Sequence, residues 1–340
     1  MTDPSSVADA ARRRLFYFFL KKVFAHLHNG QDMPKDDYLE ALAFALQAAH
    51  EEDGGRLLVT IPPRHLKSIA AAVALPAWVL GNDPAKKVMV ATYGDELSRE
   101  HASNCASVMK SRWYQSLFPA THICSTNQSE LRTTSGGGRR AVSHGGPTTG
   151  FGADLIVVDD LLKAQDAPSD TRRASVHEYF RSALMSRFND PSKGSLISIQ
   201  QRLHEDDLPA NLLEAGGFQH LNLPAIAEEP TVHQLYFDKQ WRRKAGELLN
   251  PKRMDTRTLE RLRGELGARA FSAQYQQNPV PPEGAVVRIE RMHLIDDDQM
   301  PAGSDWEYVI QSWDTAASLG PKSDFSVCTT WGYHRDAWYL

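Results

Sequence analysis

Ile61-Pro62-Pro63-Arg64-His65-Leu66-Lys67-Ser68 joins a short β-branched run, Arg56 to Ile61, to an alanine-rich run, Ile69 to Leu80. The first run follows Gly54-Gly55 and predicts a buried strand. The second predicts a helix stopped at Gly81-Asn82-Asp83-Pro84. A strand, a tight loop and a helix start aim several backbone N–H groups and a positive dipole end at one place, which suits phosphate. Lys67 and Ser68 occupy the last two positions of a G-x-x-x-x-G-K-[ST] loop: the lysine reaches the β and γ phosphates and the serine hydroxyl holds Mg2+. Both glycine positions are filled by other residues, Ile61 and Leu66, so the loop lacks glycine's access to positive φ. Pro63, Arg64, His65 and Leu66 complete the expected ATP-binding stretch, with Arg64 as a second cation. An isolated R-x-x-K-S has a plainer explanation, a basic helix start after a turn, so the rest of the chain has to decide.

The chain has 340 residues, room for one large or two ordinary domains, and a formal net charge of −4, which excludes a global basic field for nucleic acid. Cys105, Cys124 and Cys328 have no C-x-x-C spacing, arguing against structural zinc and for a reducing compartment. The apolar stretch Leu15 to Leu27 is interrupted by Lys21, Lys22 and His26 and is too short to span a bilayer, so a soluble cytoplasmic protein is expected.

Helical spacing predicts helices over residues 7–28 and 36–50. Beyond Leu57 strands and helices alternate: Lys87 to Tyr93 then Glu96 to Ser111, Leu155 to Asp159 then Asp170 to Phe188, Leu196 to Gln200 then Asp206 to Ala215. Such alternation predicts a mostly parallel α/β sheet with helices on both faces and ligands at the carboxyl ends of the strands. A single helix is expected near Thr256 to Gln277, and the proline-dense Asn278 to Gly284 marks a boundary. The expected organisation is N-terminal helices over 1–50, a core over 51–228, a lid or linker over 229–285 and a strand-rich segment over 286–340.

Leu155-Ile156-Val157-Val158-Asp159-Asp160 is a buried strand ending in two carboxylates, a Walker B pattern. Asp159 is expected to hold Mg2+ through water and Asp160 to orient or deprotonate the attacking water. The glycine-rich residues Ser135 to Gly152 predict a mobile loop whose Arg139 or Arg140 serves as an arginine finger on a neighbouring subunit's γ phosphate, a contribution of roughly 10³ to 10⁵ in turnover. A long hairpin connection is the alternative. Gln201-Arg202-Leu203-His204-Glu205-Asp206-Asp207 ends another strand beside it, where Arg202 could sense the γ phosphate. Asp314, at a strand end in Trp313-Asp314-Thr315-Ala316 and followed by Lys322-Ser323-Asp324-Phe325, is a candidate nuclease metal ligand. Lys110, Arg112 and Arg132 are candidates for a basic patch that meets DNA, with solvated surface cations as the plainer alternative.

Taken together these motifs resemble the large subunit of a tailed-phage terminase over nearly the whole chain. The family's P-P-R-H-x-K-S loop corresponds to Pro62 to Ser68, its A-T-Y strand end to Ala91-Thr92-Tyr93, and its D-D strand to Asp159-Asp160. Its T-R-x-H-x-D-D segment corresponds to Gln201 to Asp207, with Gln201 where threonine is usual. Leu223-Pro224-Ala225-Ile226 and Phe271 to Pro279 look like later landmarks of the family, and Trp313 to Ala316 like the opening of its nuclease. The resemblance implies a RecA-like ASCE P-loop ATPase and the beginning of an RNase H-like domain. It further implies ATP and Mg2+ (Mg2+ or Mn2+ for a complete nuclease), double-stranded DNA, portal protein and a small terminase subunit as partners, a homo-oligomeric ring on the portal, and the cytoplasm of a bacterial host. Further nuclease carboxylates are expected well downstream of Asp314, so two-metal cleavage is not expected of this chain. Other readings of the same residues are another P-loop DNA translocase or helicase, and a non-catalytic assembly protein.

Overall fold

The computed structural model describes residues 4–148, 150–281, 293, 295–296, 299–315 and 327–340. The chain divides into two compact units, Met1–Ala285 and Val286–Leu340.

In the first unit α1 (Pro4–Arg14), α2 (Phe16–Leu27) and α3 (Asp37–Glu51) precede β1 (Arg56–Thr60). A helix starting as a widened stretch, Ile69–Ala74, continues as α4 (Leu75–Asn82). There follow β2 (Lys87–Thr92), α5 (Asp95–Lys110), α6 (Arg112–Leu117), β3 (Ile123–Thr126), β4 (Glu130–Thr133), β5 (Gly138–Ser143) and β6 (Leu155–Asp159). α7 (Asp170–Glu178) runs on through a second widened stretch, Tyr179–Leu184, to β7 (Ser195–Gln200), α8 (Leu208–Ala215) and β8 (Gln219–Asn222). A hairpin of β9 (Thr231–Gln234) and β10 (Gln240–Arg243) and two helices, α9 (Thr256–Leu266) and α10 (Ala268–Gln274), complete the unit.

Eight strands form one sheet in the order β3-β4-β5-β2-β6-β7-β1-β8, parallel from β5 through β8 and antiparallel only at the β3-β4-β5 edge. Alternate residues of each central strand enter opposite cores, as a pleat buried on both faces requires. Leu57, Val59, Val88 and Val90 pack under α2, α3, α4 and α5, while Leu58, Met89 and Ala91 pack on the opposite face, which includes Val176 of α7 and Leu208 and Leu212 of α8. The alternation therefore gives the expected mostly parallel sheet flanked by helices. Among the described residues no helix is long and apolar enough to cross a membrane.

Three local expectations are corrected. The helix predicted over 7–28 breaks at Leu15, whose backbone is extended. The cause lies in α3: the side chain of buried Gln47 accepts from Phe16 N at 2.8 Å and donates to Arg14 O at 2.9 Å, satisfying backbone groups that the break exposes. The helix predicted over Thr256 to Gln277 is two helices, separated at Gly267, which takes φ +80°. The third correction is the glycine-rich segment, where Gly138–Ser143 is an inner strand and not a mobile loop. Its glycines serve close approach: a Cβ on Gly137 would stand 2.3 Å from Lys86 O and 2.5 Å from Pro84 O.

In the second unit β11 (Tyr308–Asp314), β12 (Val327–His334) and β13 (Ala337–Tyr339) form an antiparallel sheet. Ala316 and Lys322-Ser323-Asp324-Phe325 lie outside the described residues.

Candidate nucleotide site

β1 leaves the sheet between β7 and β8, and its carboxyl end leads straight into Ile61 to Ser68. Ile61 is fully buried and continues the ladder by donating to Gln200 O at 3.1 Å. The loop then turns through two left-handed residues without glycine, Arg64 at φ +66° and Leu66 at φ +61°. The second is one of the positions where a phosphate loop ordinarily carries glycine, so the backbone shape is kept although the residue is not. That conformation is strained for a residue with a Cβ and must be held by its surroundings. Leu66 packs its side chain on the main core, and its carbonyl accepts from Ala70 N at 2.9 Å. Arg253, from the segment after β10, donates to Arg64 O at 2.5 Å. Buried His65 spans the turn: its Nδ1 lies 3.0 Å from Pro63 O and its ring meets Tyr38 edge-on at 5.4 Å. Burial pushes the His65 imidazole down to about 4, so it sits neutral inside the loop.

Beside the loop lies a cavity of about 610 Å³ lined by Arg64, Leu66, Lys67, Ser68, His101 and Arg253 among others. Lys67 Nζ pairs with Asp160 Oδ2 at 2.5 Å, and the lysine is itself largely buried. The other oxygen of Asp160 accepts from Gln201 N at 3.0 Å, tying the end of β6 to the end of β7. Burial raises the Asp160 carboxyl above the usual carboxylate range, with neighbouring Asp159 adding to the shift and Lys67 opposing it. Asp160 also adopts positive φ, +44°, and its backbone donates to Ile199 O and accepts from Tyr93 N. Asp159 is fully buried, and among the described residues neither of its oxygens has a hydrogen-bond donor. His101 Nε2, on α5, stands 3.2 Å from Asp159 Oδ2.

A buried carboxylate with both oxygens free of donors, next to a histidine that lines one cavity with the Ser68 hydroxyl, supplies hard oxygen donors of the kind that suit Mg2+. The residues present therefore fit the metal that the motifs imply.

Of the sequence-predicted residues the fold brings together Arg64, Lys67, Ser68, Asp159 and Asp160. It sets others apart. Arg139 on β5 is 1% exposed and lies beneath the helix that follows the loop, donating to Ala72 O at 3.1 Å. A guanidinium enclosed in this way does not project as a finger toward a neighbouring subunit. Burial lowers its pKa, and the adjacent Cys105 thiol is pushed up to about 11. Arg140 is half-buried and lies 5.8 Å from the ring centre of Phe151. Arg202 is engaged by buried Asp207, with Nε 2.9 and 3.0 Å from the two oxygens. The same Asp207 accepts from Leu203 N, His204 N and Ala210 N, the last capping α8, so this corner fixes the course of the chain after β7. Asp314 ends β11, exposed, in the second unit, and among the described residues no group of three or more His, Cys, Asp or Glu is placed to hold a metal ion.

Two residues of the site went unread in the sequence. His101 had a signal: it shares the buried stripe of α5 with Ser98, Cys105 and Val108, an imidazole where an apolar residue is expected. Arg253 had none, because it meets the loop across 189 positions of chain.

In three dimensions the chain is similar to the large terminase of bacteriophage HK97, at 14% identity and TM-score 0.53 over 79% of this chain and 55% of that one. The fold is that of a phage large terminase. At this identity the likeness establishes the terminase fold, RecA-like in its sheet, and the chain spans about 55% of the HK97 protein. Weaker likenesses are the large terminase ATPase domain of Thermus phage P74-26, 13% identical with TM-score 0.46 over 74% of this chain and 100% of that one, and the large terminase of a thermophilic bacteriophage in complex with ADP, 12% identical with TM-score 0.44 over 90% and 67%. No protein-family model matches the chain, and no curated protein matches its sequence.

Proposed function

We propose that this chain is a terminase-type ATPase that hydrolyses ATP with Mg2+ to drive duplex DNA into a phage procapsid. The observation that carries the proposal is that Lys67, Ser68 and His101 line one cavity, with Asp160 paired to Lys67 and Asp159 beside His101 at the carboxyl edge of a parallel sheet. Lys67, already desolvated, gives up Asp160 for the β and γ phosphates and neutralises charge there as a point cation. The backbone N–H groups at the helix start donate to the same anion, and Arg64 at the cavity rim adds a second positive charge. Ser68 and Asp159 would hold Mg2+, which when bound neutralises the β and γ oxygens. Released from Lys67, Asp160 keeps its tether to Gln201 N and presents its freed oxygen to the attacking water as base or orienting group. Duplex DNA, portal protein, a small terminase subunit and a ring of like chains are the partners that this reading entails.

The test is steady-state ATP hydrolysis with and without Mg2+. Turnover should need the metal and be abolished in Lys67→Ala and Asp159→Ala. Undiminished turnover in both variants would refute the assignment.

A further inference from the structure

We propose that His101 is a positioning residue that holds the Asp159 carboxylate in the orientation in which it receives Mg2+. The proposal deepens the ATPase reading above and rests on it.

Asp159 ends β6, a central strand of the sheet, and is 0% exposed. A carboxylate so enclosed is costly unless another group compensates it, and a free carboxylate end rotates between conformers unless something fixes it. Among the described residues neither oxygen has a hydrogen-bond donor, and the one cation-capable side chain within ion-pair distance is His101, with Nε2 3.2 Å from Oδ2. The imidazole is enclosed along with the acid. It is 5% exposed, and its Nε2 has no aligned hydrogen-bond partner of its own. The two atoms stand at hydrogen-bond distance, with the N–H not aligned on the oxygen.

His101 is placed by a helix and not by a loop. β2 is the hydrogen-bonded neighbour of β6, with Thr92 in register with Asp159, and three residues later α5 begins. The first turns of α5 are tied down on the far side of β2: Ser98 Oγ donates to Val142 O at 3.2 Å, and Ser143 Oγ donates to the Asp95 carboxylate. The ring therefore comes to Asp159 from a rigid element anchored to β5, which holds a carboxylate more accurately than a loop can. His101 also lines the cavity with Lys67 and Ser68. One oxygen of Asp159 faces the imidazole, which leaves Oδ1 for the metal and its waters. Groups that hydrogen-bond a metal's carboxylate ligand set its orientation, and their loss costs roughly 10- to 100-fold in metal affinity. A histidine kept only for packing would have no such effect.

The test uses the full chain and measures binding of a non-hydrolysable ATP analogue, AMPPNP, by calorimetry in EDTA and across a Mg2+ titration. In His101→Ala the Mg2+ concentration for half-maximal tightening should rise about 10- to 100-fold, while the EDTA affinity stays within about twofold of wild type. His101→Gln, which keeps an N–H near the position of Nε2, should recover most of that loss. A shift shared by the EDTA arm, or equal in the Ala and Gln variants, would mean that the ring only packs and would overturn the proposal. An unshifted Mg2+ midpoint in His101→Ala would overturn it too and leave the ATPase reading standing. A wild-type chain that binds AMPPNP with no response to Mg2+ would overturn both.

Discussion

Leu66 offers a direct measure of what the loop after β1 loses by carrying a residue other than glycine at positive φ. It holds φ +61°, part-buried, with its side chain on the main core. Leu66→Ala and Leu66→Gly remove nearly the same packing, so that loss cancels when the two variants are compared with each other. What remains is backbone. At an ordinary position Gly is less stable than Ala by roughly 0.5 to 1 kcal/mol, because it loses more freedom on folding. In the left-handed region a residue with a Cβ incurs roughly 1 to 2 kcal/mol that glycine avoids. The order should therefore invert, with Leu66→Gly more stable than Leu66→Ala by about 0.7 kcal/mol, between extremes of roughly 0 and 1.5. Guanidinium denaturation of both variants, followed by fluorescence, gives the difference from midpoints at a common slope. In thermal unfolding the same inversion appears as about 1 to 4 °C. If Leu66→Ala is the more stable of the pair, position 66 does not hold positive φ in the folded protein, and the account of a glycine-free loop keeping a glycine-type shape is wrong.

Acid should weaken the fold through His65. With the folded value near 4 and an ordinary value near 6.5, the unfolded chain binds the extra proton across that window, so stability falls as pH drops from 6.5 toward 4. The full contribution is on the order of 3 kcal/mol, and His65→Asn should show a correspondingly shallower loss in urea midpoints measured at pH 4 to 7; equal slopes would contradict it. Arg202→Ala should cost about 3 kcal/mol, because Asp207, 2% exposed, is left without its cation. A loss below about 1 kcal/mol in denaturant unfolding would show that the three N–H groups on Asp207 suffice without the arginine.

The parts of the fold legible in the sequence were those encoded within a few neighbouring residues. The run Leu155 to Asp159 declared a strand buried on both faces, and the residues around Lys67-Ser68 declared a tight loop between a strand and a helix. What could not be read depended on partners far away in the chain. The break at Leu15 is made acceptable by Gln47, and the enclosure of Arg139 follows from strand pairing that the glycines at 137 and 138 permit by bringing backbones close. Glycine density looks the same whether it serves motion or close approach, and only the neighbouring strands distinguish the two. In the site, Asp159 and Asp160 announced themselves by ending an apolar run. His101 was hidden as one polar residue in an otherwise ordinary helix stripe, and Arg253 by its distance from the loop it grips.

Asp160 has the position of a keystone. Through one residue pass a salt bridge to the loop after β1, a carboxylate contact and a backbone bond to the end of β7, and a backbone bond to the end of β2. An arch stands through the stone that all its members press on, and it registers any change in load there first. In the proposed reaction, a phosphate that drew Lys67 away would unload one side of Asp160, leaving its bonds to the ends of β2 and β7. If the proposed reading holds, nucleotide arrival would be registered first at this one residue, where the ends of three strands meet.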